Sequence, residues 1–161
     1  VLLAALPEKR IILPVNVMEN LNAIEIAARN KANYLKAKEA FNNNKIDECM
    51  LYYAPEHQIK SKPGEAGRDD GIRQFLAQIR ETWADIEIKV EQIVAEEDRV
   101  MARSRAIATH TKAVLGVSPT GKKIEAIFWD LHRFNDEGLI VETWNMMDNL
   151  AIMQQLGLLQ A

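Results

Sequence analysis

The sequence predicts an α+β domain in which helices pack on one face of a curved antiparallel sheet. Three observations carry this reading. The first half favours helix, with apolar residues at helical spacing; the second half switches to a period of two. The helices come first and the strands follow, which is how a sheet comes to have its helices segregated on one side.

Met18 to Asn43 is rich in Ala, Glu, Lys and Leu and holds no Gly or Pro, so it reads as a helix. Ala27, Tyr34, Ala37 and Phe41 form parts of its apolar stripe, with Lys31, Lys36 and Lys38 mostly off it. Asn42-Asn43-Asn44 ends it, because Asn tolerates the left-handed C-cap. Asp47 opens a short helix from Glu48 to Tyr53, stopped by Pro55, and Lys60 to Gly67 reads as a loop. Asp69 is the expected N-cap of a helix running to about Thr82, with Ile72, Phe75, Leu76 and Ile79 on one face.

Ile86, Ile88 and Val90 then alternate with Glu87, Lys89 and Glu91, the mark of a half-buried strand. Glu96-Glu97-Asp98 is a polar turn. Arg99 to His110 alternates again, Val100, Ala102, Ala106 and Ala108 against Arg103, Arg105 and Thr109. Lys112 to Gly121 is a loop. Lys122 to Phe134 and Leu139 to Met147 are strands joined by the turn Asn135 to Gly138, and Leu150 to Leu156 closes the chain as a helix. The expected sheet is a four-stranded antiparallel meander.

Composition narrows the function classes. A chain of 161 residues suits one domain. An apolar fraction of 48%, a charged fraction of 27% and a net charge of −3 argue against a basic nucleic-acid binder and against a polybasic membrane-surface protein. One cysteine, Cys49, excludes an intrachain disulfide framework, and His57, His110 and His132 lack metal-ligand spacing, so no metal and no cofactor are expected. No apolar run reaches the ~18 residues of a transmembrane helix. The run Val1 to Leu6 is cut by Pro7 and followed, not preceded, by Lys9 and Arg10, the wrong order for a secretory leader. A cytoplasmic location is the expectation, with Val1 to Val15 as an extended arm.

Gly71-Ile72-Arg73-Gln74-Phe75-Leu76, Trp83-Ala84-Asp85-Ile86 and Val94 to Val100 are followed by Thr109-His110-Thr111, Leu115 to Lys123 and Trp129 to Phe134. Gly138 to Trp144 and Asp148 to Gly157 complete a series that, in this order, resembles the SnoaL-like polyketide cyclase family. The resemblance covers Asn30 to Gly157, leaving residues 1–29 as arm and helix start and 158–161 as a tail. It implies the cone-shaped fold shared with nuclear transport factor two and ketosteroid isomerase. There the N-terminal helices close the concave face over an apolar pocket, and the convex face commonly makes oligomers.

Asp130 is the leading candidate for chemistry. Strand parity puts it on one face with Phe128 and His132, opposite Ile127, Trp129 and Leu131. An acid on an apolar stripe is expected to have a raised pKa and to serve as general acid–base. By resemblance, Asn145 stands where the cyclases carry an acid. Asn cannot exchange a proton near neutral pH, so it can only orient a carbonyl or enolate oxygen. His110 matches a histidine of relatives and is a second candidate for proton supply or oxyanion binding. Phe128, His132, Trp144, Met147, Phe41 and Phe75 are the expected substrate-binding residues, and Asp148 the expected cap of the last helix. His57 ranks low as a site residue.

The expected function is a cofactor-independent cyclisation, isomerisation or dehydration of an apolar carbonyl or polyketide-like compound. The alternatives are a non-catalytic small-molecule binder and a limonene-type epoxide hydrolase, which needs Arg103 or Arg105 turned inward beside Asp130. Trp129 and Leu131 form an apolar outer stripe that predicts a homodimer.

Overall fold

The helix-favouring first stretch winds into one long helix, α1 (Val15–Asn42). It is followed by α2 (Ile46–Met50), β1 (Tyr53–Ile59), a π-helical turn (Arg68–Ile72) and α3 (Arg73–Thr82). The strands β2 (Glu87–Glu96), β3 (Arg99–Thr109), β4 (Lys123–Phe134) and β5 (Ile140–Met147) come next, and α4 (Asn149–Leu156) closes the order. The protein is seen here as a computed structural model that describes residues 15–61, 67–114 and 116–159. Most of the expected N-terminal arm lies outside the described residues, and residues 15–29 are part of α1. Among the described residues no helix is long and apolar enough to cross a membrane.

The strands form one five-stranded, unclosed sheet in the order β1-β5-β4-β3-β2. The meander from β2 to β5 is antiparallel as expected, but β1 adds a fifth strand parallel to β5. Sequence reasoning put Tyr53 in a helix because Pro55 looks like a stop. Pro55 is tolerated because β1 is an edge strand and its pairing shifts register between Tyr53 and Gln58. Asp69 is a second correction. Gly67, at φ 85°, is the residue before the π turn, and Asp69 instead accepts a hydrogen bond from Arg73 Nε at 3.2 Å. Asp148 caps α4 as expected, its side chain accepting from the Ala151 N–H at 3.0 Å.

Alternation sorts the strands cleanly. Val100, Ala102, Ser104, Ala106 and Ala108 of β3 are buried, as are Ile124, Ala126, Phe128, Asp130, His132 and Phe134 of β4. These inward residues pack with Tyr34, Ala37 and Phe41 of α1 and Ile72 and Leu76 beside or on α3. Burial of apolar surface at roughly 25 cal/mol per Å² is what holds the helices on this face.

Polar side chains of α1 fix how it lies. Asn30 donates to the Glu97 carbonyl at 3.2 Å in the β2–β3 turn. Arg29 donates to Asp136 O at 2.8 Å and Asn33 to Gly138 O at 2.9 Å in the β4–β5 turn. Gly138 sits at φ 80°, and a Cβ there would come within 2.7 Å of Arg29 Nε. That approach leaves room only for glycine.

Two amide side chains finish the sheet. Asn42 accepts from the Ile88 N–H at 2.9 Å and donates to the Ile88 carbonyl at 2.8 Å. Gln155 does the same at Glu125, accepting at 2.9 Å and donating at 2.7 Å, in the part of β4 that extends past β5.

Candidate active site

The cavity follows from the register. Reading the inward residues across paired strands gives successive rows: Val100, His132 and Thr143; Ala102, Asp130 and Asn145; Ser104, Phe128 and Met147; Ile88, Ala106 and Ala126; Ala108 and Ile124. The polar groups His132, Thr143, Asp130 and Asn145 fall in the first two rows, and the rest are apolar apart from Ser104. Ile72, Phe75, Leu76 and Ile79, at helical spacing, face this sheet surface and with Trp83 and Ile86 form the other wall. The space between them is about 420 Å³, the size of a small-molecule pocket.

Asp130 is the hub of the polar end. Lys38 Nζ of α1 lies 2.7 Å from Asp130 Oδ2, with only 14% and 4% of the two side chains exposed. Asn145 Nδ2 donates to Asp130 Oδ1 at 2.6 Å. His132 Nε2 faces Oδ2 at 3.7 Å, an ion-pair separation and not a hydrogen bond. The Lys38 ammonium also sits over the Tyr34 and Phe128 rings, 5.1 and 5.5 Å from their centroids.

The expected pKa of Asp130 is reversed by this partner. Burial raises it, but the Lys38 charge, with a smaller pull from His132, lowers it further, so the carboxyl lies well below the usual range. Lys38 shows the mirror effect: burial lowers its pKa, but the Asp130 charge and hydrogen bond, with Tyr34 and Tyr53, together raise it, so it stays an ammonium. Burial holds His132 below its ordinary value, against the opposing pull of Asp130. Burial and His132 together hold His57 down to about 4. Near neutral pH the polar end is thus a carboxylate, an ammonium and two neutral imidazoles.

Of the residues singled out in the sequence, Asp130, Asn145, Phe128, His132, Met147, Phe41 and Phe75 all line the cavity. His110 and Trp144 are not among its lining residues. His110 is buried beside Trp83, and its Nδ1 accepts from the Thr120 N–H at 3.2 Å, which ties down the loop before β4. Trp144 pairs with Leu131 and is half-buried on the outer face. Lys38 was missed because a lysine reads as solvent-facing. Its spacing was a usable signal, since it lies four residues after Tyr34 and three before Phe41, on the buried stripe. Thr143 and His57 were missed or ranked low because only the β1–β5–β4 pairing brings them beside His132.

Arg103 and Arg105 lie on the outer face. Both pair with Glu91, and Arg105 also reaches Glu125 at 2.8 Å. Among the described residues no arginine lines the cavity, so the arrangement an epoxide hydrolase would need beside Asp130 is not formed.

The family model of the SnoaL-like polyketide cyclases matches residues 32–156. The chain belongs to that family. The fold it implies, an N-terminal helix over a curved, unclosed sheet, is the one observed. Among solved structures the chain is similar to AclR from Streptomyces galilaeus, a proposed hydroxylase, at 28% identity and TM-score 0.75, covering 84% of this chain and 89% of that one. It is also similar to IdmH from Streptomyces antibioticus, a proposed polyketide cyclase, at 28% identity and TM-score 0.71, covering 80% and 98%. A SnoaL-like protein from Jannaschia, at 22% identity and TM-score 0.72 over 84% and 96%, shares the fold. No curated protein sequence matches.

Proposed function

We propose that this member of the family is a cofactor-independent acid–base enzyme that enolises an apolar carbonyl compound and directs its cyclisation, isomerisation or dehydration. One observation carries the reading: a carboxylate, an ammonium and a carboxamide converge at one end of a cavity whose other walls are mostly apolar. An oxygenated ligand would place its carbonyl against Lys38 and Asn145 and its hydrocarbon body along Phe75, Ile79, Ala106 and Ala126. Asp130 would take a proton from the carbon beside that carbonyl, and the charge arriving on oxygen would be met by Lys38 Nζ and the Asn145 amide. Lys38 weakens Asp130 as a base in the resting site. The same ammonium stabilises the enolate once charge has moved to the ligand, so its effect is larger in the transition state than before it.

Deuterium uptake from D2O into 2-tetralone, an apolar enolisable ketone, tests this by proton NMR. The wild-type protein should speed exchange, and Asp130→Asn should lose about 10²–10⁴-fold of that effect. Full exchange by Asp130→Asn would overturn the assignment. The binder reading is favoured by Asn145, which cannot carry a proton, and by Asp130 already being neutralised by Lys38. Saturable binding of 2-tetralone with no exchange above background would support it instead.

A further inference from the structure

Beside the polar rows, three buried side chains from three strands form a chain that the enolisation step leaves unused. Thr143 Oγ1 of β5 lies 2.8 Å from His57 Nε2 of β1 and 2.8 Å from His132 Nδ1 of β4. Both imidazoles are fully buried. A hydroxyl has one proton and accepts through its lone pairs. No third side-chain partner meets Thr143 Oγ1 among the described residues, so its proton goes to one ring and it accepts a proton from the other. Two arrangements satisfy both bonds. Either both rings carry their proton on Nε2, or both carry it on Nδ1.

The groups facing His132 decide between them. Its Nε2 points at Asp130 Oδ2, 3.7 Å away, and lacks a hydrogen-bond partner of its own. A bare ring nitrogen there would set a lone pair against a carboxylate, whereas an N–H sets a positive hydrogen against it. Lys38 acts in the opposite sense, but its ammonium is committed to the same carboxylate. The Tyr34 ring packs on His132, and Tyr53 meets the His57 ring edge-on, so neither offers a ring nitrogen a competing charge. Glu142, the carboxylate felt by His57, is itself held by Arg133 and Lys60.

We propose that the charge on Asp130 sets the direction of the His57–Thr143–His132 chain, placing both imidazole protons on Nε2 and presenting the His132 N–H beside Asp130 as a further donor on the cavity. His57 and Thr143 are then positioning residues, acting on the cavity through His132. The chain reverses when the carboxylate is neutralised, because the remaining charge at His132 Nε2 is the Lys38 ammonium, which favours a bare nitrogen. The use of that donor in turnover rests on the enolisation reading; the proton positions do not, and they are read without any ligand.

The test is ¹⁵N–¹H correlation NMR of the histidine side chains, which separates an N–H from a bare ring nitrogen. In the wild-type protein His57 and His132 should both carry the proton on Nε2. In Asp130→Asn both should move to Nδ1, His57 following although it does not touch residue 130. Thr143→Val should uncouple His57 from that change, and Thr143→Ser should restore it. Wild-type protein with the His132 proton on Nδ1 would overturn the proposal, as would a His57 that still follows Asp130→Asn when Thr143 is replaced by Val. The wild-type measurement holds even if Asp130→Asn does not fold. A 2-tetralone exchange rate of zero beside the expected NMR pattern would remove the enzyme reading and leave the chain standing.

Discussion

Strand β4 carries a buried charge on one side of its backbone and an exposed tryptophan on the other. On its inner side Asp130 pairs with Lys38 almost entirely out of water. One residue away on the outer side Trp129 is 40% exposed, and the nearby ion pairs of Arg105 with Glu91 and Glu125 stand in solvent. A deeply buried ion pair thus lies inside, while the large hydrophobes Trp129 and Met146 lie outside among exposed charges. Register explains the outer side: Val94, Met101, Leu131 and Trp144 form one row across four strands, and Trp129 and Met146 lie next to it. An ion pair in water is screened and contributes little, whereas a buried one is costly to form and more costly to break. The inner pair is therefore costly to break, and the outer band leaves large apolar side chains in solvent.

The sharpest way to break the comparison is Lys38→Met. It leaves Asp130 facing apolar walls without its cation and should cost about 3–5 kcal/mol in urea denaturation. Adding Asp130→Leu should recover most of that loss. The pH dependence should change sign as well. In the wild-type protein the folded Asp130 pKa lies below its unfolded value near 3.9, so its stabilisation is present above that value and fades as pH falls below it. In Lys38→Met burial, the largest influence on Asp130, is opposed only by His132 and the Asn145 amide, so the folded pKa should rise and that variant should gain stability as pH falls from 7 toward 5. A Lys38→Met protein as stable as wild type with an unchanged pH profile would show that the pair is not buried in solution.

The outer band is predicted to hold a second copy of the chain. Trp129→Lys combined with Met146→Lys should weaken association at least tenfold by light scattering, about 1.4 kcal/mol. A monomeric wild-type protein at micromolar concentration would reassign the band. The smallest effect belongs to the outer ion pairs: Arg105→Gln should leave the melting temperature within the scatter of repeat scans, and a large drop would mean that these charges are held more tightly than their exposure suggests.

Most of the fold was legible because alternation and helical spacing are local signals. The faces of β3 and β4, the apolar face of α3 and the Asp148 cap all follow from a few neighbouring residues. Asp130 was legible as a candidate for the same reason and Asn145 by resemblance to the family, and their pairing follows once the β4–β5 turn sets the register. What was not legible depends on distance along the chain. Lys38 meets Asp130 across 92 residues, and this contact, with a smaller pull from His132, reverses the pKa that burial alone would give. β1 reaches β5 across a similar span, so the edge strand and the position of His57 could not be read from its own residues.

The amide pairs Asn42–Ile88 and Gln155–Glu125 bear on what happens to this protein at high concentration. An open sheet offers vacant backbone positions that a second chain can copy, and such templating is how soluble sheets begin to form fibrils. Here one vacancy on the β2 rim and one on the overhang of β4 are each filled by a carboxamide that mimics a strand. Each occupies both the donor and the acceptor of one residue, so a would-be recruit finds the ladder interrupted at that rung.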